Sequence, residues 1–475
     1  MWLTIVALFA VLLSVVTLGV VVVQRREAGA NLAWALAVVL LPVAGPLLYF
    51  LLSWRRPERE LRRFRRKERE FGQHVETWPS VGAGAEAIEH EDFRKVADAI
   101  ERMEGWPARP GNTIEFAADG ATFRRMLLSS IRSAQRSVHL EFYIYHNDEA
   151  GEEVTAALCE KARQGVECRL LLDAVGALWF HASCLARLRE AGVQVGFFHP
   201  TNPLRRRFAI HFRLHRKIAL FDGQAALTGG RNVGDEYLGL GRRQGRFSWQ
   251  DLSLFVRGPA VADLQRVFLA DWYYTTAELL DPRGYCPVPE SVGRQIVQVV
   301  PSYPHALGGA VELAYLLAVR MARRSLRLVT PYFIPPDSML SALQSAALAG
   351  VEVEIVVPST GDSWLGLWAG RSSYRNLIEA GVRIYEYREG MLHGKIAIVD
   401  DHWCTAGSAN LDCRSFRLAF EVNCFIYDPE ASRSLTALFE VYRSKATPVA
   451  DPAQYDQRLR DRLRCGFTRL AGPLL

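Results

Sequence analysis

The stretch Met391–Asn410, MLHGKIAIVDDHWCTAGSAN, sets His393, Lys395 and Asp400 on a fixed ruler. Average usage of these residue types makes the pattern H-x-K-x-x-x-x-D an accident in about 3% of chains this long. A second copy removes that reading. In HRKIALFDGQAALTGGRN, His215, Lys217 and Asp222 repeat the spacing. In both copies six residues separate the aspartate from a turn of small residues ending in asparagine, Gly229-Gly230-Arg231-Asn232 and Gly407-Ser408-Ala409-Asn410.

The duplication reaches well beyond the motif. Phe123–Asp148, FRRMLLSSIRSAQRSVHLEFYIYHND, is echoed by Glu312–Asp337, ELAYLLAVRMARRSLRLVTPYFIPPD. Each reads as an apolar helical period followed by a β-branched and aromatic strand. GVECRLLLD from Gly165 and GVEVEIVVP from Gly350 come next, short apolar runs after a glycine stop that predict buried strands. AGVQVGFF and AGVRIYEY then lead toward the two motifs. Strands alternating with helices predict an α/β fold of two tandem sandwich domains, 113–292 and 293–475. Packed as a pseudo-twofold pair, they would bring the motifs face to face.

On a strand, side chains at i and i+2 share a face, so His215 projects with Lys217 and His393 with Lys395. Asp222 and Asp400, seven residues beyond the histidines, project oppositely and are expected to be structural, with Asp222-Gly223 and Asp400-Asp401 forming turns. Two histidines, two lysines and two asparagines without a carboxylate cluster describe a phosphoryl site that needs no metal and no cofactor. Ammonium groups and amides balance charge on the nonbridging oxygens, while one imidazole attacks phosphorus and the other protonates the departing alkoxide. Each imidazole also needs an orienting partner. Asp251 and Glu421, on predicted strands downstream of their own motifs, are the candidates.

The duplicated motif resembles that of the phospholipase D superfamily. GGRNVGDEYLG, TPYFIPPD and MLHGKIAIVD leading to GSANLDCRSFRLAFEVN narrow the resemblance to bacterial cardiolipin synthases, over nearly the whole chain. The resemblance implies that His215 is the nucleophile and His393 the general acid and base. It implies that Lys217, Lys395, Asn232 and Asn410 hold phosphate, and it counts Asp222 and Asp400 with the catalytic residues of the motif. Ser408 would share in substrate binding, although Gly230 supplies no hydroxyl at the matching place. The implied reaction passes a phosphatidyl group from one phosphatidylglycerol to another, releasing glycerol. A hydrolytic phospholipase D would carry the same residues, and a scaffold would have no need of paired imidazoles.

The rest of the chain fits a membrane enzyme. Its 475 residues exceed one ordinary core. Of the net charge of +6, Arg55–Glu70 supplies nine basic and four acidic residues, so the remainder is close to neutral and offers no general grip on nucleic acid. Arg205–Arg207 is left as a local basic loop. The eight cysteines show no paired spacing and are expected as reduced thiols. Met1–Val23 and Ala30–Trp54 carry no charge and predict a two-helix transmembrane hairpin within 1–54, with 55–112 as a basic juxtamembrane linker and connector. The basic cluster after the second span outweighs Arg25 and Arg26 and predicts cytoplasmic catalytic domains on the bacterial inner membrane. Trp364 and Trp368, four residues apart on one helical face, read either as ordinary core packing or as a segment touching the lipid interface.

Overall fold

The computed structural model describes residues 2–23, 28–50, 56–74, 84–199, 212–240, 249–287, 290–304, 309–451, 455 and 459–471. The basic loops at Arg25–Arg26 and Arg205–Arg207 lie outside the described residues, as does the end of the second apolar run. The chain divides into two compact units, Met1–Arg66 and Lys67–Leu475.

In the first unit, Trp2–Val23 is helical over 22 residues, and the second apolar run breaks into the helices Ala28–Leu40 and Ala44–Leu48. Among the described residues, no helix is long and apolar enough to cross a membrane. The two arms nevertheless pack together. Thr17, Val21 and Val38 are buried, and Ser14 Oγ donates to the Pro42 carbonyl at 3.0 Å.

In the second unit, the first repeat contributes β1 (Arg109–Ala117), β2 (Ser137–Phe142), β3 (Glu167–Asp173), β4 (Gln194–Phe198), β5 (Ile218–Phe221), β6 (Ala225–Gly229) and β7 (Ser253–Arg257). The second contributes β8 (Gln295–Ser302), β9 (Ser325–Val329), β10 (Phe333–Ile334), β11 (Glu352–Pro358), β12 (Arg383–Tyr387), β13 (Ile396–Val399), β14 (Trp403–Gly407), β15 (Leu411–Asp412), β16 (Glu421–Ile426) and β17 (Ala446–Pro448). Apart from the short parallel pair β10 and β15, the described strands form one sheet in the order β17-β12-β11-β9-β13-β14-β16-β8-β1-β7-β6-β5-β2-β3-β4. Outward from the antiparallel pair β8 and β1, both halves run through the same series. β16 answers to β7, β14 to β6, β13 to β5, β9 to β2, β11 to β3 and β12 to β4, while β17 is an added edge. The repeat read in the sequence is therefore a pseudo-twofold in the sheet.

The apolar strands β2, β3, β9 and β11 sit at parallel pairings and are buried almost throughout, as continuous hydrophobic runs require. The connector departs from the expected linker. Helix Glu91–Glu104 presents Phe93, Val96, Ala97 and Ile100 to the core of the second repeat, alongside Val300, Val311 and Leu328. Each fully buried side chain of that size contributes about 1.5–3 kcal/mol, so this segment is part of the domain. Its amphipathic spacing was present in the sequence, but charge on the opposite face disguised it as a solvated connector.

Candidate active site

The hairpins β5–β6 and β13–β14 carry the two motifs. Their turns hold Asp222 and Gly223 at φ 56° and 68°, and Asp400 and Asp401 at 54° and 58°. Two successive left-handed residues match the twist of the flanking strands, and aspartate tolerates that conformation better than most residues. The turns put the motif aspartates at the end of each hairpin remote from the histidines. Asp222 Oδ1 accepts from the backbone N–H of Arg136 and Ser137 at 2.7 and 2.9 Å, and Oδ2 from Gln135 at 2.9 Å. Asp400 does the same for Arg323, Arg324 and Ser325 at 2.7 to 2.8 Å. Both carboxylates thus fasten the hairpin to the head of β2 or β9. Counting them with the catalytic residues is corrected accordingly: they are clamps, as their opposed projection implied.

The histidines lie just before β5 and β13, in segments that pair across the repeats. His215 N–H donates to the Phe420 carbonyl at 2.9 Å, and His393 N–H donates to the Gln250 carbonyl at 2.6 Å. This pairing decides the orienting partners, because the next residue on each opposing segment is the carboxylate. His215 Nδ1 meets Glu421 Oε1 at 2.8 Å, and His393 Nδ1 meets Asp251 Oδ2 at 2.6 Å. Each carboxylate serves the histidine of the other repeat, not that of its own motif. An ionised carboxylate only accepts, so Nδ1 carries the proton and Nε2 keeps its lone pair in both rings.

Lys217 and Lys395 are almost fully buried and donate to the carbonyls of His215 and His393. Burial and the neighbouring ammonium push Lys217 down to about 7 in spite of Glu421, and burial pushes Lys395 down to about 8 in spite of Asp251. Both imidazoles fall to about 4. Burial is the main cause, and each feels the lysines of both motifs. Burial alone would raise the Asp251 carboxyl, but Lys395 and His393 outweigh it and hold it at about 2. Glu421 is likewise held below its ordinary value, with His215 and Lys217 overcoming burial. With both carboxylates ionised and both imidazoles neutral, the two lysines set the charge of this cluster, which stays near zero below a pH of about 7.

Ser408 departs from its expected place on substrate. It is fully buried, donates from Oγ to Glu421 Oε2 at 2.5 Å, and accepts from Val422 N–H at 2.9 Å. Its work is to hold the carboxylate. Gly230, the matching residue, has no room for a hydroxyl, because a Cβ there would stand 2.3 Å from Asp251 Oδ1. Asp251 instead accepts its own next amide, Leu252 N–H, at 2.7 Å. Asn232 Oδ1 accepts from Ile144 N–H at 3.0 Å, and Asn410 lines the cavity with its Oδ1 unpaired.

A cavity of about 360 Å³ opens on the His215 side, walled by Tyr143, Tyr332, Asn410, Arg414 and Glu421. The His215 side chain is 18% exposed, against 5% for His393, whose ring is packed by Trp249 at 5.0 Å and Tyr237 at 6.1 Å. Tyr143, Tyr332 and Arg414 escaped the sequence reading. The two tyrosines stand at matching places in the echoed stretches FYIYHND and PYFIPPD, a signal hidden among aromatics that looked like core. Among the described residues, His146, Asp148 and Glu236 form one grouping with ligand-type atoms within 4.8 Å, apart from this site. Asp148 there already accepts from Gly151 and Asp235 N–H.

The family described as "Cardiolipin synthase, PLD-like domain" matches residues 127–272 and 316–442, and "Phospholipase D-nuclease N-terminal" matches 2–54. The chain is 35% identical to a cardiolipin synthase of Geobacillus kaustophilus, over 98% of this chain and 94% of that one. It is 33% identical to cardiolipin synthase 1 of Bacillus anthracis, over 98% and 93%. The crystal structure of a phosphatidylserine synthase of Haemophilus influenzae superposes with a TM-score of 0.61 at 17% identity, covering 80% of this chain and 100% of that one, which supports the fold.

Proposed function

The chain belongs to the cardiolipin synthases of the phospholipase D superfamily, enzymes of phosphatidyl transfer, and from that premise we propose the role of each residue in the site. His215 is the nucleophile. Its Nε2 attacks the phosphorus of one phosphatidylglycerol, and the bond from phosphorus to the glycerol oxygen breaks. His393 Nε2 gives that oxygen its proton, and glycerol leaves. The terminal hydroxyl of a second phosphatidylglycerol then returns a proton to His393 and attacks the phosphatidyl-histidine. The phosphorus–nitrogen bond breaks, and cardiolipin is the product. One phosphodiester replaces another, so the exchange needs no nucleotide.

The observation that carries this assignment is the crossed pairing of His215 with Glu421 and His393 with Asp251, which ties both imidazoles into one buried cluster. His215 lines the open cavity and His393 is walled in, the order expected of nucleophile and proton carrier. The charge balance explains how the acid is loaded. An entering phosphodiester adds one negative charge to the site and raises the proton affinity of Lys217 and of both imidazoles, all held low by burial. The proton that His393 takes up from solvent as the anionic substrate binds is the one the leaving glycerol consumes. Lys217, Lys395, Asn232 and Asn410 neutralise and orient the nonbridging oxygens.

We also read the first unit as a membrane hairpin. Leu8, Phe9, Leu12, Leu32, Leu36 and Leu40 are all more than half exposed, a continuous apolar exterior that water does not favour. Two of its polar groups are satisfied internally, Ser14 by the Pro42 carbonyl and Thr17 Oγ1 by the Leu13 carbonyl at 2.6 Å. Such an anchor concentrates lipid alcohol over water as the acceptor. Incubating the purified full chain with phosphatidylglycerol in detergent micelles tests the reaction. Cardiolipin and glycerol in equal amounts are expected, and phosphatidic acid as the main product would assign the same residues to hydrolysis.

A further inference from the structure

We propose that the site docks on the bilayer surface through Trp179 and Trp364, one indole from each repeat, and takes phosphatidylglycerol directly from that surface. The inference rests on the cardiolipin synthase assignment and adds to it the route by which lipid reaches His215.

Trp179 and Trp364 each stand six residues beyond the last residue of their strand, after Asp173 of β3 and Pro358 of β11. These are matching strands of the two repeats, so the indoles are repeat mates. The surrounding loops, AVGALWFHAS and STGDSWLGLW, have little else in common. Trp179 is 81% exposed, with Leu178 beside it at 63%, and Trp364 is 59% exposed. The other described tryptophans of this unit are buried or half-buried. Trp368, for which the sequence left core packing and a lipid-facing surface both open, packs against Tyr455 and under the guanidinium groups of Arg371 and Arg464 at 5.3 and 5.4 Å. A single exposed apolar side chain needs no explanation. Two of the largest, exposed at equivalent positions of a divergent duplication, do.

Both loops are fastened to the site. At the root of the first, Asp173 accepts from the N–H of Leu214, the residue before His215, at 2.9 Å and from Val175 at 2.8 Å. In the second, Asp362 accepts from the Tyr332 hydroxyl, and both residues line the catalytic cavity together with Ser363 and Gly366. A pseudo-twofold rotation leaves height along its axis unchanged, so indoles at equivalent positions can meet one plane. Indole favours the boundary between headgroups and acyl chains. Arg414 on the cavity wall offers the charge an anionic headgroup requires. The partner is therefore a lipid surface.

The test uses the full chain reconstituted into phosphatidylcholine vesicles containing phosphatidylglycerol, compared with its Trp179→Ala/Trp364→Ala variant. Cardiolipin formation from bilayer lipid should fall roughly tenfold or more, while turnover of a short-chain phosphatidylglycerol supplied as monomers stays at the parent rate. Fluorescence quenchable by brominated phosphatidylcholine should fall in the variant as well. Bilayer turnover within about twofold of the parent would overturn the proposal. So would equal losses on both substrates, which would place the indoles in the fold or the chemistry. A parent chain making no cardiolipin from either substrate would strike at the assigned reaction, and the quenching comparison would still decide the docking.

Discussion

Ser408 and Gly230 show how a duplicated site diverges while both halves keep working. A longer carboxylate, Glu421, is fixed by a hydroxyl from the matching turn. A shorter one, Asp251, fills the space that the hydroxyl would need. Ser408→Ala should leave lipid affinity near the parent value and lower kcat by about 10 to 100-fold, the usual effect of freeing a histidine's orienting partner. Steady-state kinetics on phosphatidylglycerol would read this, and a rise in KM alone would return Ser408 to the substrate. The pH profile belongs to the same scale. Lys217, pushed down to about 7, is a cation only below that pH in the empty site. As pH rises through that value the ammonium is lost, so kcat/KM should decline on the alkaline side from about 7. A profile flat to pH 9 would show that Lys217 charge is not required. Sequence spacing alone could name His, Lys and Asn, because the chemistry fixes their types. It could not separate Ser408 on a carboxylate from Ser408 on phosphate, since both are hydrogen bonds of one hydroxyl.

At the scale of elements, the hairpin turn and the helix-to-strand junction are joined by one carboxylate in each repeat. Asp400 is 6% exposed and gathers three amides, whereas the matching amides on Asp222 are partly open to water. Asp400→Asn should therefore cost more stability than Asp222→Asn, on the order of 3 kcal/mol, since a buried group of donors loses a charged acceptor. Thermal unfolding of the two variants measures the difference, with turnover below the transition expected to remain within about threefold because no imidazole is touched. Equal shifts, or loss of activity in a folded variant, would contradict the clamp. Buried strands, hairpin turns and the repeat itself were all legible, because local periodicity and turn chemistry encode them. The crossed pairing was not legible. His215 and Glu421 are 206 residues apart, and nothing local states which half a strand end will meet. The helix Glu91–Glu104 was missed for a similar reason, as its apolar stripe finds its core two hundred residues downstream.

Over the whole molecule, the mirrored strand order places two half-sites about a single axis. A reporter fused after Leu475 should be active only on the cytoplasmic side if the basic run Arg55–Glu70 fixes orientation, and periplasmic activity would reverse the topology. The claim on which the rest depends is that two imidazoles share one phosphorus atom in unequal roles. The most direct measurement is mass spectrometry of the protein, denatured and digested at mildly alkaline pH where a phosphorus–nitrogen bond survives, after exposure to phosphatidylglycerol, for the parent chain and for the His393→Ala and His215→Ala variants. The account predicts a phosphatidyl adduct on His215 in the parent chain and, where it accumulates, in His393→Ala, none on His393 in any variant, and no cardiolipin from either substitution. An adduct on His393, or cardiolipin synthesis surviving either substitution, would contradict it.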